Sequence, residues 1–205
     1  FLRVSGAEHP AALEVMNHTD CDGDRVMRRL LIAENKERPV QFIKQMAHHL
    51  VDIDERFLRV TTNVLLIRNP GEMLPSLVNQ IPRPTIRDTG LKRQWELFED
   101  LLLHGEHHPP VLDARELLLD PPGVLRELCA ILGLAFEPAM LSWPPGPKPE
   151  DGVWAPHWYH NVHLSSGFSE YRSKDQPFPS RLEALREECD HYYQRLHAHS
   201  LKATT

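Results

Sequence analysis

The chain has 205 residues, 41% of them hydrophobic, with 23 basic against 29 acidic residues and a formal charge of −6. This suffices for one sizeable core and predicts a single domain over residues 1–205, while the negative balance argues against a nucleic-acid surface, so any anion site must be local. Cys21, Cys129 and Cys189 form no C-x-x-C and argue against a disulfide framework or cysteine metal site, which points to a reducing cytoplasm; no apolar run reaches the roughly 18 residues of a membrane span.

The opening ends in "TDCDGD", where Asp20, Asp22 and Asp24 alternate. A calcium loop begun at Asp20 would need glycine at Arg25 and glutamate at Leu31, so the stretch is read as a polar turn capping the next helix. That helix is "DRVMRRLLIAE", with Val26, Leu30 and Leu31 at helical spacing. Pro39 then introduces "VQFIK", Val40 to Lys44, which is short, rich in strand formers and predicted to be a strand. After a helical "DIDERFLRV", the apolar "NVLLIR" from Asn63 to Arg68 has the composition of a parallel strand covered on both faces.

A long helix is expected over Thr85 to Leu103, with Leu91, Trp95, Phe98 and Leu102 on one face. His107 and His108, beside two prolines, read as loop, and "PPVLDA" from Pro109 to Ala114 as a third strand. "PPGVLRELCAILGL" is a helix with proline near its start and Gly133 past its end. Beyond Pro138 a Pro-, Gly-, Trp- and His-rich segment without a clean period reads as a long packed functional loop, and a helix from about Ser180 to His199 closes the chain. Strands alternating with helices imply an α/β fold with a parallel sheet flanked by helices, with function at the carboxyl ends of the strands.

At one such end Arg68 emerges from the buried run. Asn69 is placed to cap, Pro70 to take the first helical position and Glu72 to complete a reciprocal cap; Pro75 opposes the carbonyl of Gly71, the residue most able to adjust. Ser76 lies on the helix that starts beside Arg68, so a guanidinium, a hydroxyl and a helix amino terminus can converge on one phosphate. The plainer alternative is that Arg68 pairs with a neighbouring acid and Ser76 faces water.

Arg68-Asn69-Pro70 with Ser76 eight residues after the arginine resembles the 3'-phosphate motif of the cytosolic-type sulfotransferases, which use 3'-phosphoadenosine 5'-phosphosulfate (PAPS). "VQFIK" resembles their strand leading to a catalytic lysine and histidine, and Val111 to Leu141 resembles their strand, acidic turn, helix and "LGL" segment. "DGVWAPHWYHNVHLSSGF" resembles their carboxyl-terminal cofactor loop through Gly152 and Trp154. The resemblance implies a three-layer P-loop-type α/β fold, PAPS as donor, a small-molecule hydroxyl or amine as acceptor, and cofactor contacts from Arg68, Ser76, Gly152 and Trp154. Similar regions also occur beside aminotransferase-like modules, but nothing here suggests cofactor chemistry on lysine.

The sequence departs from that pattern twice. The family histidine stands two residues after the lysine, a position held here by Met46, with His48 and His49 following. The family also begins with a strand and a loop that grips the phosphosulfate, and no glycine-rich phosphate loop is found between Phe1 and Thr205; the fold is expected to lack its first strand here and the chain to be unstable and inactive without it. By resemblance, Lys44 would stabilise the leaving phosphate oxygen and His48 or His49 would take the acceptor proton; read without it, Lys44 is a solvated strand end and the histidines a polar helix start. Trp154, Trp158, Tyr159 and Phe168 would stack on adenine, line an acceptor pocket or pack in the core. Two other classes remain: a non-catalytic nucleotide- or phosphate-binding module of the same fold, and a metal-binding protein or hydrolase using His157, His160 and His163.

Overall fold

A computed structural model describes residues 1–7, 9, 11–32, 40–105, 108–173 and 177–204. In chain order the helices and strands are α1 (Leu2–Ser5), α2 (Ala12–His18), α3 (Gly23–Ile32), β1 (Leu65–Ile67), α4 (Pro70–Leu77), α5 (Ile86–Thr89), α6 (Leu91–His104), β2 (Val111–Asp113), α7 (Ala114–Leu119), α8 (Pro121–Ile131), α9 (Ala155–Trp158), α10 (His160–Leu164) and α11 (Glu183–His197). They fall into two compact units, residues 1–57 with 144–165, and residues 58–143 with 166–205.

The second unit holds the sheet. β1 and β2 run parallel, with Leu65 opposite Val111, Leu66 opposite Leu112 and Ile67 opposite Asp113. Beyond β2, Ser200 forms a parallel bridge with Val111, and the Leu201 amide donates to the Val111 carbonyl at 2.9 Å. The core joins Leu65, Ile67 and Val111 to Leu91 and Phe98 of α6 and to Cys189, Tyr193 and Leu196 of α11. These residues sit on one face of the sheet because Leu65 and Ile67 share a side of the pleat. Leu66 points the other way and is 58% exposed, so β1 is covered on one face and not on both, as its apolar composition suggests.

The segment Val40–Lys44 is a second correction: it forms no strand, with Val40, Phe42 and Ile43 all exposed. Strand formers favour an extended backbone, but a strand needs a neighbour for its N–H and C=O groups and a buried face for its side chains. Pro39 lies outside the described residues, as do His107 and the last two residues of the helix expected through Glu34. The "DIDERFLRV" stretch tightens into a 3₁₀ helix, Glu55–Arg59.

The helix expected over Thr85 to Leu103 is two helices. Gly90 adopts φ 71°, where a side chain would be strained, and separates α5 from α6. Thr85 and Asp88 form a reciprocal capping box on α5. The turn before α3 does what its spacing implies, since Asp22 Oδ1 accepts from the Arg25 amide at 2.9 Å. The long segment after Pro138 is more ordered than a loop, containing a 3₁₀ turn, Pro138–Leu141, as well as α9 and α10.

The two strand ends and α11 meet at Tyr193. Its buried hydroxyl donates to Asp113 Oδ2 at 3.0 Å and also takes a hydrogen bond from the Asn69 side chain. Asp113 is fully buried; its Oδ1 caps α7 by accepting from the amides of Arg115 and Glu116 at 2.9 and 3.1 Å. Burial, then the Asp113 carboxylate, push the Tyr193 phenol above its ordinary pKa. Asp113→Ala removes the cap and strands a buried phenol, and is expected to cost about 2–4 kcal/mol by urea denaturation; a loss below roughly 1 kcal/mol would show that the tie is incidental.

Candidate functional site

The carboxyl end of β1 is built by local capping. Asn69 Oδ1 accepts from the Gly71 amide at 2.8 Å, and the Asn69 carbonyl accepts from the amides of Glu72 and Met73. Pro70 is buried at the first helical position, and Pro75 is accommodated within α4. Arg68, between the buried Ile67 and this cap, turns outward with its side chain 44% exposed. Ser76 is exposed on the same helix face as Glu72, one turn further on.

Both readings of Arg68 have a footing here. The guanidinium stands at the start of α4, where the helix dipole favours an anion though Asn69 already takes the first-turn amides, and it pairs with an acid: Arg68 Nε lies 3.7 Å from Glu72 Oε2. Glu72 Oε1 accepts from the Tyr171 hydroxyl at 2.6 Å. That hydrogen bond, with burial second, raises the Tyr171 pKa. Arg115 lies over the Tyr171 ring, 5.4 Å from its centroid, and its Nη1 is 3.3 Å from Glu116 Oε1. Sequence reasoning missed Tyr171 and Arg115. No local pattern links Tyr171 to Glu72, 99 positions away.

One cluster among the described residues has metal-ligand chemistry: Asp113, Glu116 and His197 bring ligand atoms within 4.8 Å of one another. Each is already engaged. Asp113 serves the α7 cap and Tyr193, Glu116 Oε2 accepts from the Ala203 amide at 3.1 Å, and the His197 ring faces the Lys202 ammonium, 3.2 Å from Nε2. The cluster ties α7 to the carboxyl-terminal segment, and that role accounts for its burial.

In the first unit, Lys44 is exposed outside any helix or strand, while His48 and His49 belong to a 3₁₀ turn, Ala47–His49. Their rings meet edge to face with centroids 4.5 Å apart, and Phe1 stacks on His49 at 4.0 Å. Burial, then the neighbouring His48, push the His49 pKa down to about 4. Met46 caps the turn and is 46% exposed. A Cβ on Gly152 would overlap the Trp154 indole, so the glycine lets that ring fold against the backbone. Trp154 Nε1 donates to the Tyr159 hydroxyl at 3.3 Å.

The three candidate zinc histidines do not share a partner. His163 Nε2 lies 2.8 Å from Asp151 Oδ2, and His157 meets the His9 ring at 6.3 Å, while His160 is exposed. Trp158 Nε1 donates to His9 Nε2 at 2.9 Å. In the second unit, Phe168 packs edge to face on Trp143 at 5.5 Å. Of the predicted site, Lys44, His48, His49, Gly152 and Trp154 belong to the first unit, and Arg68 and Ser76 to the second.

A family profile described as a sulfotransferase domain matches residues 1–200. Two proteins of Arabidopsis thaliana are similar. Branched-chain-amino-acid aminotransferase-like protein 2 is 34% identical over 200 residues, covering 97% of this chain and 35% of that protein. Branched-chain-amino-acid aminotransferase-like protein 1 is 35% identical over 180 residues, covering 87% and 32%. The chain therefore spans about a third of the length of these curated relatives. No solved structure matches. Among the described residues no helix is long and apolar enough to cross a membrane.

The lowered His49 pKa sets a pH dependence. The folded state keeps this imidazole neutral down to about 4, whereas the unfolded chain binds a proton near 6.5. Stability from this group is complete above pH 6.5 and declines as pH falls from there toward about 4. Melting temperatures measured across that window are expected to fall more steeply for the native chain than for His49→Phe; parallel slopes would show that His49 titrates normally.

Proposed function

We propose that this chain, which belongs to the sulfotransferase domain family, takes part in transfer of a sulfuryl group from PAPS to a hydroxyl or amine of a small-molecule acceptor. The observation that carries the reading is Arg68 at the end of a buried parallel strand, beside a helix capped by Asn69 and Pro70 that carries Ser76. On this reading Arg68 and Ser76 hold the 3'-phosphate, with the dipole of α4 behind them, and Gly152 with Trp154 contributes to the adenine side. The fold is read as a three-layer P-loop-type α/β domain spanning residues 1–205, an extent supported by a family match that crosses both units. A cytoplasmic setting accords with the three free cysteines.

In the reaction the acceptor oxygen or nitrogen bonds to sulfur as the bond from sulfur to the phosphate oxygen breaks. The leaving oxygen gains charge, which Lys44 neutralises; the acceptor loses a proton, which an imidazole takes. His49, with its pKa near 4, is a weak base at neutral pH, so His48 is the preferred acceptor of that proton. Met46 at the position of the family base favours a second reading, a nucleotide-binding module without turnover. Binding of 3',5'-adenosine bisphosphate with no transfer would select it.

Calorimetry with 3',5'-adenosine bisphosphate tests the anchor. Arg68→Ala is expected to weaken binding by roughly 2–5 kcal/mol and Ser76→Ala by about 1.5–3 kcal/mol, the range for hydrogen bonds to charged groups. Unchanged affinity in a folded Arg68→Ala protein would remove the reading. For the base, His48→Ala is expected to cut turnover by about 100-fold or more with cofactor affinity nearly intact. Full turnover in both His48→Ala and His49→Ala would place the base elsewhere.

A further inference from the structure

The stretch of the first unit that carries Gly152 and Trp154 is tied together by one imidazole. α9 and α10 have four and five residues, far below the length at which a helix is stable on its own, so side-chain ties must set their orientation. His163, in the last turn of α10, supplies two. Its carbonyl accepts from the Gly146 amide at 2.7 Å, and its Nε2 lies 2.8 Å from Asp151 Oδ2, twelve positions back and just before Gly152. The same carboxylate oxygen accepts from the Lys148 amide at 2.8 Å. That bond first, and the one to His163 after it, lower the Asp151 pKa and keep the carboxyl ionised. An ionised carboxylate only accepts, so Nε2 carries the proton and donates.

The tie reaches Trp154 from two sides. Asp151 is the chain neighbour of Gly152, against whose backbone the Trp154 indole folds. The His163 ring meets the Tyr159 ring edge to face with centroids 5.9 Å apart, and the Tyr159 hydroxyl accepts from Trp154 Nε1 at 3.3 Å. The His163 and Asp151 side chains are 24% and 20% exposed, so their hydrogen bond is partly shielded from water and stronger than a surface pair. An aromatic side chain held in place before a ligand arrives loses less rotamer entropy on binding than a free one.

We propose that Asp151 and His163 form a positioning pair that holds Trp154 as the stacking surface for the adenine of the donor nucleotide. The inference rests on the reading of Trp154 as a contact on the adenine side. Neither member of the pair touches the ligand; His163 acts through Tyr159, and Asp151 through the turn at Gly152. The consequence is selective. Affinity contributed by the base depends on the pair, whereas affinity contributed by a phosphate at Arg68 and Ser76 does not.

Calorimetry with 3',5'-adenosine bisphosphate tests this, beside thermal-shift titration with inorganic phosphate, which has no base. His163→Phe keeps a ring against Tyr159 and removes the donor. It is expected to raise Kd for the bisphosphate about five- to fiftyfold, within the range of base–aromatic stacking, and to leave the stabilisation by inorganic phosphate as in the native chain. His163→Gln, whose amide nitrogen can donate where Nε2 does, is expected to return Kd to within about threefold of native. Beside Trp154→Ala, His163→Phe is expected to add no further loss. Melting curves establish that each variant folds; if His163→Phe does not, Asp151→Ala, which removes the acceptor, is expected to show the same pattern. Binding that Arg68→Ala weakens but Trp154→Ala or His163→Phe leaves unchanged would overturn the positioning pair and spare the phosphate reading. An equal loss of bisphosphate and phosphate affinity in His163→Phe would also overturn the pair, since a general loosening of the fold produces it. Failure of the native chain to bind the bisphosphate would overturn the nucleotide reading and this inference with it.

Discussion

The phenol of Tyr193 is the point on which the second unit turns. One buried oxygen donates to Asp113 at the end of β2 and accepts from Asn69 just past the end of β1. Neither strand end can shift without breaking a hydrogen bond to this buried phenol, and a buried unsatisfied partner costs more than the bond itself is worth. Because α11 carries Tyr193, the helix that buries Leu196 and Cys189 in the core also sets the register of the strand ends. Asn69 and Asp113 each cap the helix that follows them, so one side chain of α11 fixes the starts of α4 and α7.

That arrangement explains how Arg68 leaves the end of β1. Ile67 is buried and Asn69 is held by the Gly71 amide and by Tyr193, so the residue between them has its backbone defined on both sides. Arg68 can then project outward without disturbing the core. In a chain of net charge −6, long-range potential does not favour an anion, so binding depends on donors within a few ångströms. An α4 of eight residues supplies only a short dipole, so the charges nearest its start are those of the Arg68 and Glu72 side chains.

What was legible in the sequence was what is encoded locally. Asn69 and Pro70 announce the start of α4, Asp22 the start of α3, and the apolar runs around Leu66 and Leu112 the two strands. The break at Gly90 was also local: Thr85 and Asp88 at capping-box spacing followed by glycine mark a short helix, but the continued spacing of Leu91, Trp95 and Phe98 masked it. Val40–Lys44 failed because strand propensity describes a side chain's fit to a pleated, half-buried surface and says nothing of whether a neighbouring strand is there. Gly152 was legible as a cofactor-loop residue only by resemblance; its physical reason, the indole of Trp154 folded against it, is a packing fact.

The contacts that define the candidate site were the least legible, and for one reason. Tyr171 reaches Glu72 across 99 positions and Tyr193 reaches Asp113 across 80, so no periodicity or spacing can report either. A strand-end arginine, read alone, is equally an anion ligand and half of a surface ion pair. The structure shows the ion pair with Glu72, and the helix dipole that would favour a phosphate there favours a first-turn carboxylate by the same physics. An exposed ion pair is a weak one, so the Arg68–Glu72 contact adds little to stability beside the hydrogen bond from Tyr171. Tyr171 holds Glu72 by a hydrogen bond that only the folded chain brings about, and Arg115 lies over the Tyr171 ring.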